Sequence, residues 1–159
     1  MAKGMEVTVR DWDLTIDAES ESVVAVLNAN GVAWKTAADR SGLYSTRDRF
    51  VATLLTENGA HDIDIMVRFA IRPDATSTPI AIETVECGVW NGIPLGSLEN
   101  WLVAYRLMQR PLKPELIAAY LRVHGGDVRL LDRLLAGPLP LPSSIQDELT
   151  VLRAISAVR

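Results

Sequence analysis

With 159 residues, 48% of them apolar and 23% charged, the chain has the composition of a globular domain and not of a disordered segment. The formal net charge of -4 argues against a generic nucleic-acid-binding surface, and no apolar run is long enough to cross a bilayer. We see no signal peptide, and Cys87, the lone cysteine, cannot form an internal disulfide. We therefore expect a cytoplasmic protein without a membrane partner.

The first half of the chain predicts a strand, a helix, a short strand, a loop and a hairpin. Asp17 is expected to cap the helix, because its carboxylate suits the free amides of a helix start. Asn58-Gly59 predicts the hairpin turn, since Asn-Gly is the strongest short turn signal. In chain order, the strand covers residues 5–17, the helix 18–30, the short strand 32–35 and the loop 36–48. The two strands of the hairpin cover residues 49–56 and 62–69.

The second half predicts a loop, another hairpin and four helices. The hairpin turns at Asn91-Gly92, and the first helix starts with Ser97 as its cap. Pro114 opens the second helix, the third covers residues 128–136, and Ser143 or Ser144 caps the last helix. The whole pattern predicts an α+β fold with a mixed, mostly antiparallel sheet, flanking helices and a helical tail. We expect one domain over residues 1–136, with a proline-rich linker and a last helix, residues 137–159, packed on it.

Acidic side chains interrupt two of the predicted strands. Asp11 and Asp13 alternate on the first strand, and Asp62 and Asp64 alternate on the returning strand of the first hairpin. Residues two apart in a strand share one face of the sheet, so Asp11, Asp13 and Asp64 converge if the strands are neighbours. Their repulsion would be relieved by a hard divalent cation. Asp62 is an alternative third ligand, and each acid could instead cap a turn or pair with an arginine.

In their order along the chain, these residues resemble the minimal nucleotidyltransferases of the DNA polymerase beta superfamily. That family has an Asp-x-Asp motif at a strand end, then a helix, and a third carboxylate on a later strand. Asp11-Trp12-Asp13-Leu14 and the Asp64 of Asp62-Ile63-Asp64-Ile65-Met66 match this order. Ile93-Pro94-Leu95-Gly96-Ser97-Leu98-Glu99 and Arg110-Pro111-Leu112-Lys113 match two later family segments. The resemblance covers about residues 4–121 and favours Asp64 over Asp62.

The resemblance implies transfer of a nucleotide monophosphate from a nucleoside triphosphate to an acceptor. Asp11, Asp13 and Asp64 would hold Mg²⁺, and Asp64 would also receive the proton of the attacking hydroxyl. Such a protein is expected to be built on the nucleotidyltransferase-like fold, here incomplete at the N-terminus. Three arginines in or beside the loop before the first hairpin are expected to contact the triphosphate: Arg40, Arg47 and Arg49.

One family feature has no counterpart here. In the family, a Gly-Ser pair at a helix start precedes Asp-x-Asp and holds the phosphates, whereas no such pair precedes Asp11. The sequence therefore leaves two functions open: a nucleotidyltransferase-like protein, inactive if the absent motif is essential, and a non-catalytic small-ligand-binding or protein-interaction module. In either case we expect a homo-oligomer, because an uncovered sheet edge is a template for pairing.

Overall fold

The computed structural model describes residues 12–38, 42–57, 59–74, 76–90, 92–137 and 141–158. Within these ranges it contains helices and a mixed sheet with antiparallel strands, which confirms the predicted α+β class. The strands are β1 (Trp12–Ile16), β2 (Ala33–Thr36), β3 (Asp48–Thr56), β4 (Gly59–Val67), β5 (Ala70–Ile71), β6 (Ile80–Ala81), β7 (Glu86–Trp90) and β8 (Ile93–Gly96). The helices are α1 (Ser20–Ala29), α2 (Leu98–Leu107), α3 (Lys113–His124), α4 (Val128–Leu135) and α5 (Ser143–Ala157).

These elements form two compact units, one over residues 12–84 and the other over residues 85–158. The boundary falls inside the range 1–136 that the sequence predicts as one domain. The last helix, α5, belongs to the second unit, where it packs on α3 and α4. No helix in the described part of the chain is long and apolar enough to cross a membrane.

The first unit is built on a four-stranded sheet with the order β1-β4-β3-β2. β3 and β4 form the predicted hairpin, β2 lies antiparallel to β3, and β1 lies parallel to β4. β5 and β6 form a separate two-stranded ladder in the same unit. β1, the first strand of the unit, is thus hydrogen-bonded to β4, which comes after α1, β2 and β3 in the chain.

One face of the four-stranded sheet is apolar and is covered by α1. The alternation of each strand turns branched and aromatic side chains to this face, which is why it excludes water. Its buried centre consists of Val23 of α1 with Phe50, Ala52, Ile65 and Val67. Leu14, Ile16, Trp34 and Ile63 pack around that centre, as do Val24 and Leu27 of the helix.

The start of α1 differs from the prediction. Glu19, and not Asp17, occupies the cap position, and its side chain makes no capping hydrogen bond. Ser20, buried in the first turn, donates its hydroxyl to the carboxylate of Asp48 at the start of β3. The prediction of Asp17 as the cap was wrong because this tertiary contact places the first turn further along the chain.

The second unit consists of the predicted hairpin β7–β8 and four helices. Ser97 caps α2 as predicted, since its hydroxyl accepts from the amide of Asn100 at 3.2 Å. Pro142 occupies the cap position of α5, so the prediction of Ser143 or Ser144 as its cap was wrong. Proline is preset for the extended backbone of a cap, and its carbonyl accepts from the amides of Ile145 and Gln146. Fully buried leucines from all parts of the bundle form the core, among them Leu102, Leu131, Leu149 and Leu152.

Polar groups hold the ends of these helices together. Glu99 in the first turn of α2 is 5% exposed, and its carboxylate accepts from the amide of Asp127, the cap of α4, at 2.8 Å. Arg106 of α2 donates to Glu148 of α5 at 2.8 Å and to Glu115 of α3. Three helices therefore share one half-buried guanidinium.

Candidate functional site

The sheet face opposite α1, which we call the acidic face, carries carboxylates and other polar side chains together with Val51 and Met66. The strand registers, which pair Leu14 with Ile65 on the apolar face, place the alternate residues together on this second face. β1 contributes Asp13 and Thr15, and β4 contributes Asp62, Asp64 and Met66. From β3 come Arg49, Val51 and Thr53.

Asp13 and Asp64 are direct register partners on the parallel strands β1 and β4. Neighbouring strands lie about 4.8 Å apart, so the two carboxylates project side by side from one face. Both residues are partly buried, which weakens the screening by water. Of the three predicted acids, the structure thus brings these two together. Asp11 lies outside the described residues.

Asp64 is held by Arg49 of the neighbouring strand β3. The Nε of Arg49 donates to both carboxylate oxygens, at 2.8 and 3.0 Å, and its Nη2 donates to Oδ2. The side chains are 25% and 20% exposed, respectively, so this is a half-buried, forked ion pair. Charge-assisted forks of this kind are among the stronger polar contacts in proteins.

Tyr44 supports the guanidinium from the loop before β3. The Cζ of Arg49 lies 4.9 Å from the centroid of the Tyr44 ring, a distance at which the cation is attracted to the face of the ring. The Tyr44 ring also contacts Phe69, which is 1% exposed. The ion pair is therefore anchored through Tyr44 to the core of the unit.

Asp62, the alternative third ligand, has a different environment. It is exposed, and its carboxylate accepts from the hydroxyl of Thr53, its register partner on β3, at 2.8 Å. Among the described positions, it is Asp64 and not Asp62 that pairs with Asp13.

The two predicted arginines that lie within the described residues have different partners. Arg49 lies on the acidic face, whereas Arg47 donates to Glu19 at the start of α1. Arg68 donates to the other oxygen of Glu19. Arg40 lies outside the described residues.

The carboxylates on this face are of the ligand type that a hard cation prefers, but one of them is already paired. Aligned carboxylates are the ligands that Mg²⁺ prefers, but both oxygens of Asp64 already accept from Arg49. No group of three or more His, Cys, Asp or Glu within the described ranges could hold a metal ion, and the predicted trio includes Asp11, which lies outside them. Among the described residues, these two carboxylates therefore do not complete a cation site by themselves.

Sequence reasoning placed Arg49 near the phosphates and missed both its fork with Asp64 and the ring of Tyr44. The alternation of β3 indicates that Arg49 shares a face with Asp64, so that signal was available. Tyr44 comes from a loop without periodicity, and nothing in its sequence neighbourhood predicts the contact.

Comparison with protein-family models, with curated proteins and with solved structures found no match to this chain. The resemblance to the minimal nucleotidyltransferases therefore stays a prediction, supported by the residues that carry it.

Proposed function

We propose that the chain is a nucleotidyltransferase-like protein whose site is the acidic face of the four-stranded sheet. Asp13 and Asp64, together with Asp11, would bind Mg²⁺ and a nucleoside triphosphate, and the protein would transfer a nucleotide monophosphate to an acceptor. The observation that carries the proposal is the register of Asp13 with Asp64 on neighbouring parallel strands. The resemblance expects an Asp-x-Asp strand and a later strand that carries the third acid, and this register supports that expectation.

The chemistry follows from where the charges lie. When bound, a divalent cation supplies positive charge to the phosphate oxygens and to the oxygen of the leaving pyrophosphate. Asp13 and Asp64, on neighbouring strands, would hold that charge in place beside the triphosphate. The acceptor hydroxyl attacks the α-phosphorus, the bond to the β-phosphate oxygen breaks, and a carboxylate oxygen of Asp64 receives the hydroxyl proton.

Calorimetry with Mn²⁺ and a non-hydrolysable triphosphate tests this proposal. We expect the triphosphate to bind tighter with Mn²⁺ than without it, and we expect Asp13→Asn and Asp64→Asn to abolish that gain. Asp62→Asn is the matched control, since it removes the same charge from the same strand face and should keep the gain. No response to Mn²⁺, or an equal loss in Asp62→Asn, would contradict the proposal.

A second candidate is a non-catalytic ligand-binding or protein-interaction module. The fork between Arg49 and Asp64 favours it, because an acid that is already neutralised needs no metal. We expect such a module to be a homodimer, and sedimentation equilibrium measures this directly. A dimer without any Mn²⁺ response would favour the module over the transferase.

A further inference from the structure

We propose that α3 is the contact surface of a homodimer, in which the exposed faces of two copies of this helix pack antiparallel. The surface lies in the second unit, and its role is independent of the function proposed for the sheet of the first unit. Three features of α3 support this pairing: an exposed apolar stripe, a residue order that fits a second copy, and opposite charges that meet when the helices run antiparallel.

The outer face of α3 carries a stripe of apolar side chains. Leu112, Leu116 and Val123 are 73%, 50% and 61% exposed, and Ala119 between them is also exposed. Leu112 occupies the cap position, and its carbonyl accepts from the amide of Leu116, so it continues the line of the helix. No other helix in the described part of the chain, caps included, has three large apolar side chains that are exposed. Apolar groups aligned in this way are typical of a contact surface, whereas singly scattered ones are not.

The spacing of the stripe is that of a coiled-coil seam. Its four residues are separated by four, three and four positions, the alternation that keeps side chains on the line where one helix packs against another. The inner face of α3 is already used, since Ile117, Ala118 and Leu121 are buried in the unit. The helix therefore has two apolar faces, of which the outer one is exposed.

The order of residues in the stripe fits a second copy that runs antiparallel. A two-fold axis midway along the stripe sets Leu112 opposite the partner's Val123 and Leu116 opposite the partner's Ala119, and each contact occurs twice. Leu116 then meets a small side chain, and such alternation of large and small residues fills the space between facing helices. In a parallel pair Ala119 would face its own copy and leave a gap.

The charged residues beside the stripe favour the same orientation. Glu115 and Arg122 are seven residues apart on one side of it, and antiparallel pairing sets Glu115 beside the partner's Arg122 on both sides of the axis. Both side chains are exposed, although Glu115 also accepts from Arg106 and Arg122 lies 3.5 Å from Glu148. Because these contacts within the chain already offset part of the charge, the pairs across the axis determine orientation more than affinity. In a parallel pair Glu115 would meet Tyr120 instead.

The size of the surface predicts a weak, reversible dimer. A standard interface buries about 800 Å² on each partner, and one face of a 12-residue helix offers less than that. We therefore expect a dissociation constant in the micromolar range or weaker, so that monomer and dimer exchange with protein concentration.

Sedimentation equilibrium of the full chain, from micromolar to millimolar concentration, tests the proposal. We expect a monomer–dimer equilibrium that Val123→Glu weakens at least about tenfold, because the dimer would bury two carboxylates without partners. Val26→Glu is the matched control: Val26 lies on α1, is 61% exposed like Val123, and should tolerate the same substitution without a change in association.

Two charge variants test the antiparallel orientation. Glu115→Arg and Arg122→Glu should each associate more weakly than the unsubstituted protein, because like charges then meet twice across the axis. An equimolar mixture of the two variants should form a heterodimer, since both pairs are again arginine with glutamate. A mixture that associates no better than the separate variants overturns the antiparallel pairing.

Other outcomes also overturn the proposal. One is a chain that stays monomeric at millimolar concentration. Another is a dimer that Val123→Glu and Val26→Glu weaken equally, or that neither weakens, because a different surface then forms it. None of these results depends on Mn²⁺, so failure of this pairing is distinct from failure of the nucleotidyltransferase-like function.

If a variant fails to fold, the unsubstituted protein still provides a test by NMR. The amide resonances of α3 should shift between dilute and concentrated solution, whereas those around Val26 should not. Unchanged α3 resonances at a concentration at which the protein sediments as a dimer refute the proposal.

Discussion

Replacing Asp64 should have opposite effects on stability depending on whether Arg49 is present. In the unsubstituted protein, Asp64→Asn removes the charge that the Arg49 fork neutralises, so the sheet should lose stability. In an Arg49→Met background, Asp64 lies beside Asp13 without its guanidinium, and Asp64→Asn should be neutral or stabilising. Methionine keeps an unbranched chain over Tyr44, which limits the loss of packing.

The magnitude follows from burial and spacing. Exposed ion pairs contribute about 0 to 1 kcal/mol, and loss of one partner from a buried pair costs about 3 to 5 kcal/mol. At 25% and 20% side-chain exposure, Arg49 and Asp64 lie between these limits, so we expect a coupling energy of about 2 kcal/mol. Two like charges at the spacing of neighbouring strands, about 4.8 Å, repel by about 1 to 3.5 kcal/mol at effective dielectric constants of about 80 to 20, which gives the sign reversal.

Urea unfolding of the four proteins in this double-mutant cycle provides the measurement. With a denaturant slope of about 1 kcal/mol/M, a change of 2 kcal/mol moves the midpoint by about 2 M. Because the chain has two compact units, hydrogen exchange at the amides of β3 and β4 should identify the transition that belongs to residues 12–84. A coupling energy below about 0.5 kcal/mol would refute the reasoning.

Two further predictions concern the second unit. Ser97→Ala removes the buried cap of α2 and should lower the free energy of unfolding in urea by about 1 kcal/mol. The control Ser143→Ala, at a helix start without a side-chain cap bond, should change it by less than about 0.5 kcal/mol. Equal losses in the two variants would contradict this. The hydrogen bond from Arg106, aided by its charge, lowers the pKa of Glu115 below its ordinary 4.5. Since the pKa is lower in the folded state, this stabilisation is present above about pH 4.5 and is lost as the pH falls through the folded-state pKa. Glu115→Gln should make the acid loss of stability shallower, and an NMR titration of Glu115 with an ordinary midpoint would refute the assignment.

The two hairpins show how far the sequence determines the site. Asn91-Gly92 predicts the register of β7 and β8 correctly, because Trp90 pairs with Ile93. In the first hairpin Thr56 pairs with Gly59, whereas a turn at Asn58-Gly59 would pair residue 57 with residue 60. This shift moves the pairing by two residues and keeps every side chain on its face, so the apolar pattern cannot distinguish the two registers.

The sequence therefore predicts which side chains share the acidic face, but it does not predict which residues of the two strands pair. Alternation places Asp13, Asp64 and Arg49 on one side of the sheet from the sequence alone. A turn centred on Asn58-Gly59 would set Asp64 opposite Thr53, whereas the observed register sets it opposite Val51, diagonal to Arg49. The ion pair between Arg49 and Asp64 depends on the observed register, which the Asn-Gly turn signal does not predict.

The parallel pairing of β1 with β4 has a consequence for when the acidic face exists. β3 and β4 are neighbours in the sequence and can associate locally. β1 and β4 are separated by α1, β2 and β3, so their pairing closes a much longer loop. Within the described sheet β1 is an edge strand, bonded on one side only, and edges of this kind open at a smaller free energy than the interior. Fraying of this one strand would part Asp13 from Asp64 and leave the hairpin with its Arg49 fork intact, so the two carboxylates meet only in the fully assembled sheet.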